Sequence, residues 1–255
     1  MTKKRGVGEL ILTIVGMCIW VFAVVIATQL VIGYIMLSLL GKSQFNQPVW
    51  TSVYSAVVYT LALIITIFVP LLIQNKRKKK KIETPAEMRK ELGLDGLPTW
   101  TDVGLGPIGF IASLLLAALL VFIFSKFPWF VADQTQDLAF SVMSPGFNRV
   151  LAFLTLVVVA PIAEEIIFRG WLYGKLREKL NGKLSEIWGI IISSFITSFV
   201  FGLVHLQWNV GVNVFALSIV LCAMREITGT IYAGMLTHII KNGVAFYLIY
   251  VIGVI

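Results

Sequence analysis

The sequence predicts an all-α fold: a polytopic membrane helix bundle of about seven transmembrane helices. Two observations carry that reading. Of the 255 residues, 58% are hydrophobic and only 13% charged, with a mean hydropathy of +0.90, whereas soluble domains run near about 45–50% apolar and about 25% charged. The apolar residues also fall in runs long enough to cross a hydrocarbon layer of about 30 Å, which takes about 20 helical residues. A water-soluble globular enzyme, a disordered chain and a collagen-like chain are thereby excluded.

The candidate spans are 9–40, 50–73, 103–124, 147–168, 187–206, 211–224 and 229–253. The first is far longer than the core of a cleavable signal, about 7–15 residues, and reads as a retained anchor. After span 2 the run Lys76 to Lys81 reads as a solvated stop-transfer flank rather than a headgroup switch or a nucleic-acid patch. Met88 to Leu97 is expected to form a short interfacial helix ended by Gly96 and Pro98. Span 4 keeps its helical period past Arg169 through Leu172, Leu176 and Leu180, and Asn181-Gly182 is the first convincing stop. Spans 4 and 5 should therefore form a hairpin turning at Gly182. The sixth span is short, and Gly229 opens the turn into the seventh. No repeat or linker marks a second unit. One membrane-embedded domain is expected, with N-terminal spans and a basic loop in 1–125 and the chemistry-bearing core in 147–253.

The net charge is +8, and its placement gives an orientation. Seventeen of the 21 lysines and arginines fall before span 1 (Lys3, Lys4, Arg5), after span 2, after span 4 (Arg169 to Lys183) or after span 6 (Arg225). If the spans alternate, all lie on one side, while the other side carries Lys42, Lys126, Asp133 and Asp137. By the positive-inside bias the N-terminus is expected to be cytoplasmic. Cys18 and Cys222 both sit in apolar runs, which argues against a disulfide framework and a zinc–cysteine site. Trp129, Phe130 and Trp208 are read as interfacial anchors.

An ionisable side chain in a bilayer costs about 2.5–3.5 kcal/mol on insertion scales, so each one needs a reason. Within or at the ends of spans stand Glu164, Glu165, Arg169, Lys241 and the only two histidines, His205 and His238, with Asn242 one turn beyond His238. Glu165 and Arg169 are four apart and share a face, so they can pair. Glu164 is rotated by about 100° and can meet a different neighbour. His238 and Asn242 share a face, as do Phe201 and His205. About the turn at Gly182, Glu164 lies 18 residues before and His205 23 after. At about 1.5 Å per residue the depths differ by about 7 Å, so the groups can meet. Ser193, Ser194, Thr197, Ser198 and Gly170-x-x-x-Gly174 are expected to let helices approach closely.

A carboxylate, two imidazoles and an amide in a wet cavity can hydrolyse a peptide bond in two ways. Glu164 can act as general base on a water held by His205, with His238 and Asn242 donating to the oxyanion. Alternatively Glu164, His205 and His238 can hold a divalent metal such as zinc, which lowers the pKa of its water. H-E-x-x-H, serine-protease and phosphate-loop patterns are missing.

Ala163-Glu164-Glu165-Ile166-Ile167-Phe168-Arg169-Gly170, Phe201-Gly202-Leu203-Val204-His205 and His238-Ile239-Ile240-Lys241-Asn242 read as E-E-x-x-x-R, F-x-x-x-H and H-x-x-x-N in order on three hydrophobic elements. Together they resemble the type II CAAX prenyl endopeptidase family, also called the CAAX protease and bacteriocin-processing (CPBP, Abi) family, over about residues 147–253. The resemblance implies an intramembrane endopeptidase of glutamate or metallo type, with a hydrophobic or membrane-tethered, CAAX-like peptide as substrate. It implies Glu164 as activator of water, His205 as its holder, Glu165 and Arg169 as support, and His238 with Asn242 as oxyanion stabilisers. Expected partners are a peptide or protein in the membrane and the lipid bilayer, not nucleic acid; the expected location is the plasma membrane. A non-catalytic immunity or scaffold protein and a proton-coupled transporter are the rival readings. Lys241 is the odd residue, and pairs with a glutamate or headgroup or marks a break at Lys241-Asn242-Gly243.

Overall fold

The computed structural model describes residues 6–78, 84–131 and 145–253, and seven of its helices are long and apolar enough to cross a membrane. No strand occurs among the described residues. Lys3, Lys4, Arg5, Asp133, Asp137 and the basic positions 79–81 lie outside them.

α1 spans Val7–Phe45 and is interrupted at Gly41, whose φ of 72° places the break one residue past the expected span. α2 spans Pro48–Lys78. The interfacial helix α3 is Pro85–Glu91, earlier than the expected 88–97. Thr84 and Glu87 form a reciprocal capping box at its start, and Gly93, at φ 70°, ends it before Gly96 is reached. α4 is Trp100–Phe124 and opens on a second capping box, Thr99 with Asp102. α5 is the long composite helix Phe147–Leu180. It stops where the sequence places the stop, at Asn181 and Gly182 with φ 69°. α6 (Glu186–Leu203) returns beside it, and α7 (Trp208–Thr228) ends at Gly229 with φ 73°. α8 is Tyr232–Phe246 and continues, wound as a π-helix, to Ile252. The break considered at Lys241-Asn242-Gly243 is absent: the helix Tyr232–Phe246 runs through these residues without interruption.

α5 is the centre. It touches α1, α2, α6, α7 and α8, while α4 packs on α7 and α8 and α1 pairs with α2. The largest fully enclosed side chains accordingly include Ile167, Phe168, Arg169, Leu172, Tyr173 and Leu176 of α5. Outward surfaces are apolar: Leu12, Leu30 and Leu115 are 74%, 68% and 68% exposed. Such a surface suits hydrocarbon, and in water it would drive aggregation. The chain is an integral membrane protein. Trp129 and Trp208 are exposed and touch edge to face at 5.8 Å, whereas Phe130, expected as an anchor, is buried.

The charged loops that the sequence places on one side do meet. Lys175 of α5 pairs with Glu91 of α3 at 2.8 Å, Arg177 pairs with Glu226 of α7 at 2.8 Å, and Arg225 donates to the Glu91, Leu92, Arg169 and Gly170 carbonyls. Gly170 and Gly174 make room for this junction: a Cβ on Gly170 would sit 3.1 Å from the Leu92 oxygen, and one on Gly174 3.0 Å from Arg225 Nη2.

α6 and α7 cross backbone to backbone. A Cβ on Gly202 would lie 3.0 Å from the Gly211 carbonyl oxygen, and one on Gly211 3.2 Å from that of Gly202. Backbone has no rotamer to move. Gly202→Val should therefore force the helices apart and displace His205, three residues on, at an overpacking cost of about 1–3 kcal/mol. Thermal unfolding of purified protein in detergent should show a lowered midpoint; an unchanged midpoint would contradict the crossing.

Candidate functional site

The site is built on irregular winding in α5. Pro161 has no N–H for the Val157 carbonyl, and its ring crowds that turn. The helix answers with a π-wound stretch, Leu154–Val159, just before it, and a second follows at Ile166–Tyr173. Where winding changes between i+4 and i+5, carbonyl oxygens are left over, and such bulges gather at functional positions. Two are met by other helices: the Leu156 oxygen accepts from Asn242 Nδ2 at 3.1 Å, and the Gly170 oxygen accepts from Arg225 at 3.2 Å.

Between the π stretches stand the two glutamates. Glu165 is fully enclosed, and its Oε1 accepts from Arg169 Nη1 at 2.8 Å, with both side chains at zero exposure. The guanidinium stacks over the Phe201 ring, 4.4 Å from its centroid. Glu165 Oε1 also lies 3.0 Å from His238 Nδ1. A carboxylate only accepts, so Nδ1 carries the proton and Nε2 faces the other way. It faces Glu164, whose Oε2 is 3.6 Å off; that is too far for a direct hydrogen bond and within reach of one through a shared oxygen. Gly234 of α8 permits this approach: a Cβ there would press on Glu165 Oε2 at 3.2 Å.

Glu164 points elsewhere, as its 100° offset requires. It lines a cavity of about 180 Å³ together with His205, and with Val25, Gln29, Val58 and Tyr59 from α1 and α2. His205 is held just past the end of α6. Its Nδ1 lies 2.8 Å from the Phe201 carbonyl oxygen, so Nδ1–H donates and Nε2 is left to accept when the ring is neutral. The Phe201 ring, edge-on at 5.1 Å, backs the imidazole. Leu206 follows at φ 55°, a left-handed turn that a bulky side chain rarely adopts and that reverses the chain directly after the histidine.

The expected residues thus divide. Glu164 and His205 share the cavity, His238 reaches Glu164 from its flank, and Glu165 with Arg169 anchor His238. Asn242 does not line the cavity; its Nδ2 donates to the Leu156 oxygen. Lys241 lies near enough for its charge to act on Glu164 and His205. Tyr59 and Gln29 are additions: both line the cavity with Glu164 and His205, and neither carries a charge of its own, so a search for charges in spans passes over both. The signal was a lone carboxamide and a phenol within otherwise apolar runs.

Residues 146–244 match the family described as type II CAAX prenyl endopeptidase, Rce1-like. This segment, less than half of the chain, is similar to that family. No curated protein and no solved structure matches the chain. The Rce1-like segment holds all three motifs, E-E-x-x-x-R on α5, F-x-x-x-H running off the end of α6 and H-x-x-x-N on α8. Rce1-like proteins are membrane peptidases, and a peptidase acting on membrane-associated peptide is the general class the match supports. Gln29 and Tyr59 lie outside the Rce1-like segment, so the cavity is closed by helices the family match does not reach. As for a metal, among the described residues no three His, Cys, Asp or Glu side chains gather at ligand separations.

Proposed function

We propose that the protein is an intramembrane endopeptidase that hydrolyses a peptide bond of a hydrophobic or membrane-tethered, CAAX-like peptide with a water activated by Glu164. The observation that carries this reading is the shared cavity: Glu164 and the open Nε2 of His205 line one polar hollow inside an apolar bundle. With about 30 Å³ per water molecule in the liquid, the hollow holds several. His205 Nε2 accepts one hydrogen from a water, and Glu164 takes the other as the oxygen attacks the carbonyl carbon. The same proton then passes from Glu164 to the leaving nitrogen as the C–N bond breaks.

At about 180 Å³ the hollow is below the usual ligand-pocket range of about 300–1,000 Å³. It suits a scissile carbonyl and its water, while the rest of the peptide lies along the helices. The basic face formed by α3, the α5 tip and Arg225 is assigned to the cytoplasm, with the protein in the plasma membrane and the N-terminus cytoplasmic, from the positive-inside bias.

The test is cleavage of a fluorogenic, lipid-tethered peptide by purified protein in vesicles, with and without excess EDTA. Cleavage that survives the chelator is expected, since side chains alone hold the water. Loss of cleavage on chelation, restored by zinc, would replace the glutamate mechanism by a metal one. An absence of cleavage of any tethered peptide would favour the scaffold reading, and pH-driven flux lost in His205→Ala the transporter.

A further inference from the structure

We propose that Tyr59 is a catalytic residue: its hydroxyl donates to the oxyanion that forms on the scissile carbonyl. The proposal rests on the peptidase reading above and adds a group from the N-terminal half of the chain. Three observations carry it. Of the two residues expected to donate to the oxyanion, His238 turns its Nδ1–H to Glu165 and Asn242 turns an amide N–H to the Leu156 carbonyl in α5, and neither lines the hollow. The cavity's walls bring two polar side chains from α1 and α2, Gln29 and Tyr59, opposite Glu164 and His205. Of these, Tyr59 carries a phenolic O–H that can donate to an anion, and it lines the same small hollow as the Glu164 carboxylate, so it stands where negative charge moves.

The charge movement explains why that place is useful. Before attack, the carboxylate of Glu164 is the acceptor for Tyr59 O–H. As the water oxygen bonds to the carbonyl carbon, one water proton moves to Glu164 and the carbonyl π pair moves onto its oxygen. Glu164 becomes neutral and the substrate oxygen becomes negative. The phenol then has a stronger acceptor within the same small hollow and turns to it, following the charge. When the tetrahedral species collapses, the pair returns to re-form C=O, the C–N bond breaks, Glu164 hands its proton to the nitrogen, and Tyr59 O–H returns to the carboxylate. Atoms and charges balance without a further reactant, and α2 becomes part of the machinery.

The experiment compares wild type, Tyr59→Phe and Glu164→Gln in vesicles on the lipid-tethered peptide, across pH. Loss of a single oxyanion donor lowers kcat by about 10²–10³-fold, so Tyr59→Phe is expected to lose that much at its best pH with KM little changed. A peptide phosphinate, which mimics the tetrahedral species, should bind Tyr59→Phe more weakly by a comparable factor, while a non-cleavable substrate amide binds as before. Thermal unfolding of both variants should match wild type. If Tyr59→Phe reaches the wild-type plateau rate and only its acid limb moves to higher pH, the hydroxyl merely orients Glu164 and the proposal is overturned. An unweakened phosphinate overturns it too, including for a variant that folds poorly. If Glu164→Gln cleaves like wild type, or wild type cleaves nothing, the peptidase reading falls and takes this proposal with it. Slow Glu164→Gln with fast Tyr59→Phe removes this proposal alone.

Discussion

Glu164→Gln is expected to slow peptide hydrolysis by about 10²–10⁴-fold, the range that a positioned general base contributes. The substitution keeps the side chain's length and an oxygen for the Tyr59 hydroxyl, but leaves no basic site for the water proton. The side chain is only 13% exposed, so a neutral amide is no harder to accommodate than the carboxylate and the fold should persist. The measurement is kcat in vesicles alongside the thermal midpoint in detergent. A variant with an unchanged midpoint and a wild-type rate would show that Glu164 is not the base.

Arg169→Met carries the second large effect, and on a different property. It removes the cation from a pair in which both partners have zero exposure, leaving the Glu165 carboxylate enclosed with only His238 beside it. Breaking a buried pair on one side costs about 3–5 kcal/mol, whereas replacing both partners by apolar residues of similar size is often neutral or favourable. Arg169→Met should therefore lower the yield of folded protein sharply, and Glu165→Leu combined with Arg169→Met should restore the thermal midpoint. Activity should not return with it. His238 Nδ1 donates to Glu165, and without that acceptor the imidazole loses the anchor that aims Nε2 at Glu164. Recovery of both stability and hydrolysis in the double variant would reduce the pair to packing.

Much of this was legible because membrane burial makes polar residues conspicuous. Glu165 and Arg169 announce their pairing by a four-residue offset, and the α5–α6 hairpin follows from leucines that keep helical period as far as Leu180 before Gly182. Asn242 stands outside the hollow for a reason no periodicity can carry. Its offset from His238 is right, but a π-wound stretch in α5 frees the Leu156 carbonyl within its reach. Tyr59 and Gln29 went unseen because a hydroxyl and a carboxamide cost far less in lipid than a charge, so they do not demand an explanation in the way Glu164 does. α3 begins earlier than expected because the capping pair Thr84 and Glu87 outranks the apolar pattern that starts at Met88.

The mechanism stands on one water held between an acid and an imidazole deep in the bundle. A density map of the protein in lipid, fine enough to show ordered water, tests this directly. It should show a water in hydrogen-bonding contact with both the Glu164 carboxylate and His205 Nε2, inside the hollow walled by Val25, Val58 and Tyr59. A hollow filled by an acyl chain or by repacked side chains, with no water touching both groups, would contradict it.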